Sequence, residues 1–141
     1  MGNALIALLI FASFQLSVST QSIERAFLQN NPKILYECLP KSESIKLTFP
    51  DPIAFSDQIS NQQTYFFFKQ IFSTYTTFEF YPTRPDEFQT ETKSIFKARW
   101  SFQDKKNNKY VFYIFFYFIQ KAGEEGGDPT WNIVEIRAEK V

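Results

Sequence analysis

The chain has no histidine, one cysteine, one methionine and four glycines in 141 residues. Without histidine there is no Ser-His-Asp triad, no Cys-His pair and no imidazole metal ligand. A single cysteine rules out an internal disulfide and a thiolate zinc site. Cys38 lies between Tyr36 and Leu39 in a helical stretch and reads as a small buried apolar side chain. Charge of one sign is also missing. Lys and Arg number 15 and so do Asp and Glu, giving zero formal net charge. A neutral chain lacks the concentrated basic face that nucleic-acid binding requires. The short basic run from Lys105 to Lys109 reads instead as a solvated hairpin turn. No residue pattern calls for a cofactor or a metal. Asp51, Asp57, Asp86 and Glu87 lack the alternating spacing of a calcium loop, and Glu124, Glu125 and Asp128 read as a solvated turn.

What is present begins with an apolar leader. No ionisable side chain precedes Glu24, and the stretch from Ala4 to Val18 is as long as a signal-peptide hydrophobic region. A spanning helix needs ~20 apolar residues. Ser17 and Ser19 supply small residues at the spacing of a cleavage site, although the usual basic residue before the apolar region is absent. Residues 1–19 are therefore expected to be an export signal, with an uncleaved anchor or a buried helix as alternatives. Residues 20–141 form one domain by size, exported to the periplasm or medium and with no membrane span in the mature chain.

Within that domain the hydrophobic period changes twice. Ile23, Ala26 and Phe27 form a helical stripe after Ser22, which can cap it. Asn31 and Pro32 then supply a cap and first residue for a second helix, with Ile34, Leu35, Cys38 and Leu39 as its apolar stripe and Pro40 as its end. Ile45–Phe49 alternates as a strand, followed by a Pro-Asp-Pro loop. Ser60 and Gln63 have capping-box spacing and open a helix to about Thr74, with Tyr65, Phe68, Ile71, Phe72 and Tyr75 along one side. From there the period is two. Phe78–Phe80 is a strand and Pro82–Asp86 a loop. Ile95–Gln103 places Phe96, Ala98, Trp100 and Phe102 on one face, and Lys97, Arg99 and Ser101 on the other. Trp131–Ala138 closes the chain as the last strand.

Between the last two of these lies KYVFYIFFYFIQK, residues 109–121. As a helix, Tyr110 to Ile119 would span only about 15 Å, too short for a membrane. As a strand they reach about 33 Å, and aromatic and branched side chains favour that form. Both faces are then apolar. Tyr110, Phe112, Ile114, Phe116 and Phe118 point one way; Val111, Tyr113, Phe115, Tyr117 and Ile119 point the other. The helices can cover one side only. The second face is expected to be covered by a second copy of the sheet in a two-fold homodimer, or by the chain's own segments.

The order of elements, with "SIERAFLQNNPKILYECL", "ISNQQTYFFFKQIFSTY" and "FEF" at successive positions, resembles the nuclear-transport-factor-2-like cone fold and a group of uncharacterised exported bacterial proteins that share it. The likeness spans residues 22 to 139. It implies an α+β domain in which N-terminal helices pack on a curved, mainly antiparallel sheet. That fold hosts isomerases, dehydratases, transport factors and non-catalytic modules, so it does not by itself assign an activity. A dehydratase-like Asp-His pair is impossible here. An isomerase-like site would need a carboxylate in the cavity, for which Glu79 and Glu135 are the candidates. Both alternate with apolar neighbours and read as solvent-facing, although one β-bulge could turn Glu135 inward. The reading that results is a non-catalytic domain acting through a homodimer face, or through a pocket for a small apolar ligand lined by Tyr36, Phe68, Phe72, Phe96 and Trp100.

Overall fold

The computed structural model describes residue 16 and residues 19–41, 43–84, 90–123 and 127–141. The expected export signal, the Asp86–Glu87 loop positions and Glu124–Glu125 thus lie largely or wholly outside the described residues. Among the described residues, three helices precede or interrupt a six-stranded sheet. Residues 19–28 form α1, Pro32–Glu37 form α2 and Asn61–Thr74 form α3. The strands are β1 (Ile45–Phe49), β2 (Phe55–Ile59), β3 (Thr76–Thr83), β4 (Lys93–Gln103), β5 (Lys109–Lys121) and β6 (Thr130–Lys140). Their order is β2-β1-β6-β5-β4-β3. All neighbours are antiparallel except β1 and β6. No helix among the described residues is long and apolar enough to cross a membrane.

Local chemistry sets most boundaries. Asn31 caps α2 by accepting a hydrogen bond from the Lys33 N–H, and Pro32 occupies the first turn, where its missing N–H costs nothing. Ser60 and Gln63 complete a reciprocal capping box on α3. Asn30 stands at a positive φ of 50°, a conformation that asparagine tolerates. Its side chain donates to the carbonyls of Phe72 (3.1 Å) and Tyr75 (2.8 Å) and accepts from the Thr77 N–H (3.2 Å). One residue thus ties the end of α1 to the end of α3 and the start of β3.

Two expectations are corrected, and one strand that the sequence pattern did not signal is present. Ser22 lies inside α1 and does not cap it, because the residues before it already continue the helix. Pro82 belongs to β3, opposite Ala98, where a loop was expected. β3 is an edge strand, so a residue without an N–H is tolerated there. Phe55–Ile59 forms a strand after the Asp51–Pro52 turn; its middle residues are exposed and its place comes from pairing with β1.

The core lies between the helices and the inner face of the sheet. Phe27 is its centre. Its ring lies 4.5 Å from Phe80, 5.1 Å from both Phe72 and Trp100, 5.9 Å from Phe116 and 6.0 Å from Phe68, measured between centroids. Edge-to-face and offset contacts of this kind add about 0.5–1.5 kcal/mol per pair beyond burial. The Trp100 indole N–H donates to Thr77 Oγ1 at 2.8 Å, satisfying the one polar atom of that ring.

Candidate functional site

The residues proposed for a pocket do not converge on one place. Phe68, Phe72 and Trp100 are buried around Phe27. Phe96 flanks that cluster, 5.8 Å from Phe116 and 6.5 Å from Phe80. Tyr36 stands apart, in a surface groove between α2 and α3. There it lines a cavity of about 560 Å³ with Lys33, Gln62, Tyr65 and Phe66. Tyr36 and Tyr65 meet edge to face at 5.4 Å, and Phe66 is 61% exposed. Tyr36 also borders a second cavity of about 420 Å³ lined by Glu37, Leu39, Lys41 and Asn61. Sequence reading passed over Phe66, because one exposed ring on an amphipathic helix carries no signal of its own.

Neither candidate carboxylate faces the core. Glu79 is exposed and accepts a hydrogen bond from Ser101 Oγ at 3.3 Å on the outer face of the sheet. A bulge does occur in β6, but with the opposite effect to the one considered. Phe118 pairs with Ile133 and Tyr117 with Glu135, leaving Val134 extra. The shift keeps both Ile133 and Ile136 buried and puts Glu135 in the outer row beside Tyr117. Among the described residues the buried polar side chains are Thr64, Ser94 and Ser101, none of them ionisable. No group of acidic, Cys or His side chains among those residues could hold a metal.

Cys38 is equally unsuited to chemistry. Burial and then the neighbouring Glu37 carboxylate push its thiol up to about 11, and Sγ donates to the Ile34 carbonyl at 3.6 Å. Asp104, in the β4–β5 turn, is held below the usual carboxylate range by hydrogen bonds from Asn108 and Lys106. Its role is to shape the turn, as the solvated-hairpin reading anticipated.

The outer face of the sheet is the other distinctive surface. β5 presents Val111, Tyr113, Tyr117 and Ile119 half-buried and Phe115 7% exposed. Cations from both neighbouring strands lean over these rings. Lys97 Nζ stands 4.4 Å from the Tyr113 centroid and 5.5 Å from Phe115. Arg137 Cζ stands 5.4 Å from Phe115 and 5.5 Å from Tyr117. Their stems cover part of the apolar surface, and their charged groups lie against the ring faces. Buried side-chain polar atoms with no hydrogen-bond partner occur at three described residues, Thr83 Oγ1, Arg99 Nε and Arg137 Nε. Strand register places all three on this face, since Thr83 pairs with Lys97, Arg99 with Tyr113 and Arg137 with Phe115.

This architecture, helices on one face of a curved six-stranded sheet, is the nuclear-transport-factor-2-like fold. Among solved structures the chain is similar to a DUF4783 family protein from Bacteroides uniformis (13% identity, TM-score 0.66, covering 86% of this chain and 95% of that one). It is also similar to a ketosteroid isomerase-like protein from Erwinia carotovora atroseptica (10%, 0.66, 90% and 94%). A third is a nuclear-transport-factor-2-like protein of unknown function in nutrient uptake from Rhodospirillum rubrum (11%, 0.60, 89% and 98%). No family model and no curated protein matches the chain. The likeness carries the fold, as the element order implied, and does not choose among the activities found on it.

Proposed function

We propose that this chain is a non-catalytic interaction domain, exported from the cytoplasm, that associates with a second copy through the outer face of β4, β5 and β6. The observation that carries this reading is the second apolar face of β5. Five aromatic or branched side chains follow one another on the side of the sheet away from the helices. The isomerase-like alternative needs an acid in the interior, and its candidates Glu79 and Glu135 stand on the outer side. A small apolar ligand, if the domain takes one, has the α2–α3 groove around Tyr36 as its place.

Light scattering after size exclusion of the purified protein tests the association, and a dimer is the expected mass. Tyr113→Ser with Phe115→Ser should then give a soluble monomer. Unfolding or aggregation of that variant would assign the face to the core of a single chain and sink the proposal. Export is tested by N-terminal mass spectrometry of the protein recovered outside the cytoplasm; retention of an intact N-terminus there would favour the anchor alternative.

A further inference from the structure

Resting on that self-association, we infer the direction of its two-fold axis: it runs along β5, so that β4 of each protomer lies over β6 of the other. Two sheets stacked face to face by a two-fold have their axis in the plane between them. Two limiting directions exist. An axis along β5 turns the sheet over about that strand and exchanges its left and right neighbours. An axis across β5 lays every strand over its own copy, running the opposite way.

The charges of the flanking rows separate the two. The outer row of β4 is Lys93, Ile95, Lys97, Arg99, Ser101 and Gln103, with three cations and no acid. The outer row of β6 is Glu135, Arg137 and Glu139, two acids and one cation. Across β5, the cationic row meets itself, and like charges brought together at an interface oppose association. Along β5, it meets the mixed, net acidic row twice. An axis along the strand also forbids sliding, because each level maps onto the same level in the partner. Arg99, Tyr113 and Glu139 share one level of the sheet, and Ile95, Tyr117 and Glu135 another. Arg99 therefore lies over Glu139 of the partner subunit.

The side chains suit that pairing. Arg99 Nε makes no hydrogen bond in its own chain, and the guanidinium carries further N–H donors beyond it that can reach across. The Glu139 carboxylate is half exposed, and its ion pair with Arg137 is long at 3.5 Å, so it has acceptor capacity left. One mismatch remains at the Lys97–Phe115–Arg137 level, where Lys97 approaches Arg137 of the partner subunit. Both of these cations lean over aromatic rings, which leaves their charges offset from the meeting line. Aligned sheets cross at about 30°, which tilts the axis by about half that and does not exchange the rows.

Cross-linking of single cysteines in the full chain with a bismaleimide of about 8 Å reach, in a Cys38→Ala background, reads the axis directly, because stacked sheets lie about 10 Å apart and are too distant for a direct disulfide. Tyr113→Cys and Tyr117→Cys should each cross-link to themselves. An axis across β5 at the Phe115 level would instead cross-link only the mixture of the two variants, and one at any other level would cross-link at most one variant to itself; either result overturns the inference. Charge exchange gives an independent reading. Arg99→Glu and Glu139→Arg should each weaken the dimer by roughly ten-fold or more, and the double exchange should recover most of the loss. Tighter association of Arg99→Glu alone would show that like charges had been facing each other. A monomeric parent protein would remove the self-association itself, whereas a dimer in which neither thiol pattern forms would overturn the inferred axis.

Discussion

The two faces of β5 are built from the same kinds of residue and meet opposite fates. Inward, Phe112, Ile114, Phe116 and Phe118 are buried to within 1% of full enclosure, sealed by the helices and by Phe27. Outward, Phe115 alone approaches that state, and it does so under Lys97 and Arg137. The difference teaches that apolar composition sets how much surface a strand must hide, while its neighbours decide what hides it. Helices with complementary stripes cover the inside. On the outside the flanking strands offer long cations, whose stems shield rings at the edges of their charge.

The largest expected effect that sharpens this contrast is at the inner centre. Phe27→Ala empties the place where five rings meet and should destabilise the fold by about 3–5 kcal/mol, read from urea unfolding. A loss under ~1 kcal/mol would mean that the helices and sheet close without it. Next, Thr77→Val leaves the buried Trp100 N–H without its acceptor and should cost about 1–3 kcal/mol. The outer face should answer more weakly. Lys97→Met keeps the stem and removes the cation over Tyr113 and Phe115, for a loss of about 0.5–1 kcal/mol. If this variant proved as damaging as Phe27→Ala, the two faces would be equivalent and the contrast would fail.

A further effect on the inner side is one of pH. Cys38 has its folded-state value raised from 9.0 to about 11. Below pH 9 the thiol is protonated in folded and unfolded chains alike, and its contribution is complete. Between pH 9 and 11 the unfolded chain releases the proton more readily, so stability should fall as pH rises. Comparing the parent protein with Cys38→Ala across that window isolates the effect; parallel curves would show that Cys38 is more open to water than its position implies.

Much of the fold was legible because its signals are local. The Asn31–Pro32 start of α2, the Ser60–Gln63 box of α3 and the alternation in β4 each rest on residues a few positions apart. Ser22 misled because a capping side chain works only where the helix begins, and α1 begins before it. β2 was invisible for the opposite reason, since its exposed middle residues take their form from β1. The candidate pocket was legible only as a set of rings. Spacing put Phe68, Phe72, Phe96 and Trp100 on core-facing sides, but could not say that Phe27 would stand among them or that Tyr36 would lie elsewhere.

The sequence by itself determined that the chain carries no histidine chemistry, that its charge is balanced, that helices precede a run of strands, and that β5 is apolar on both sides. Composition and short-range periodicity suffice for each of these. Only the tertiary structure decided that Glu135 faces outward, because a single bulge changes which side every later residue of β6 takes. It also decided that Lys97 and Arg137, 40 positions apart in the chain, close over the same ring of Phe115, since strand order and register are what bring distant residues to one place.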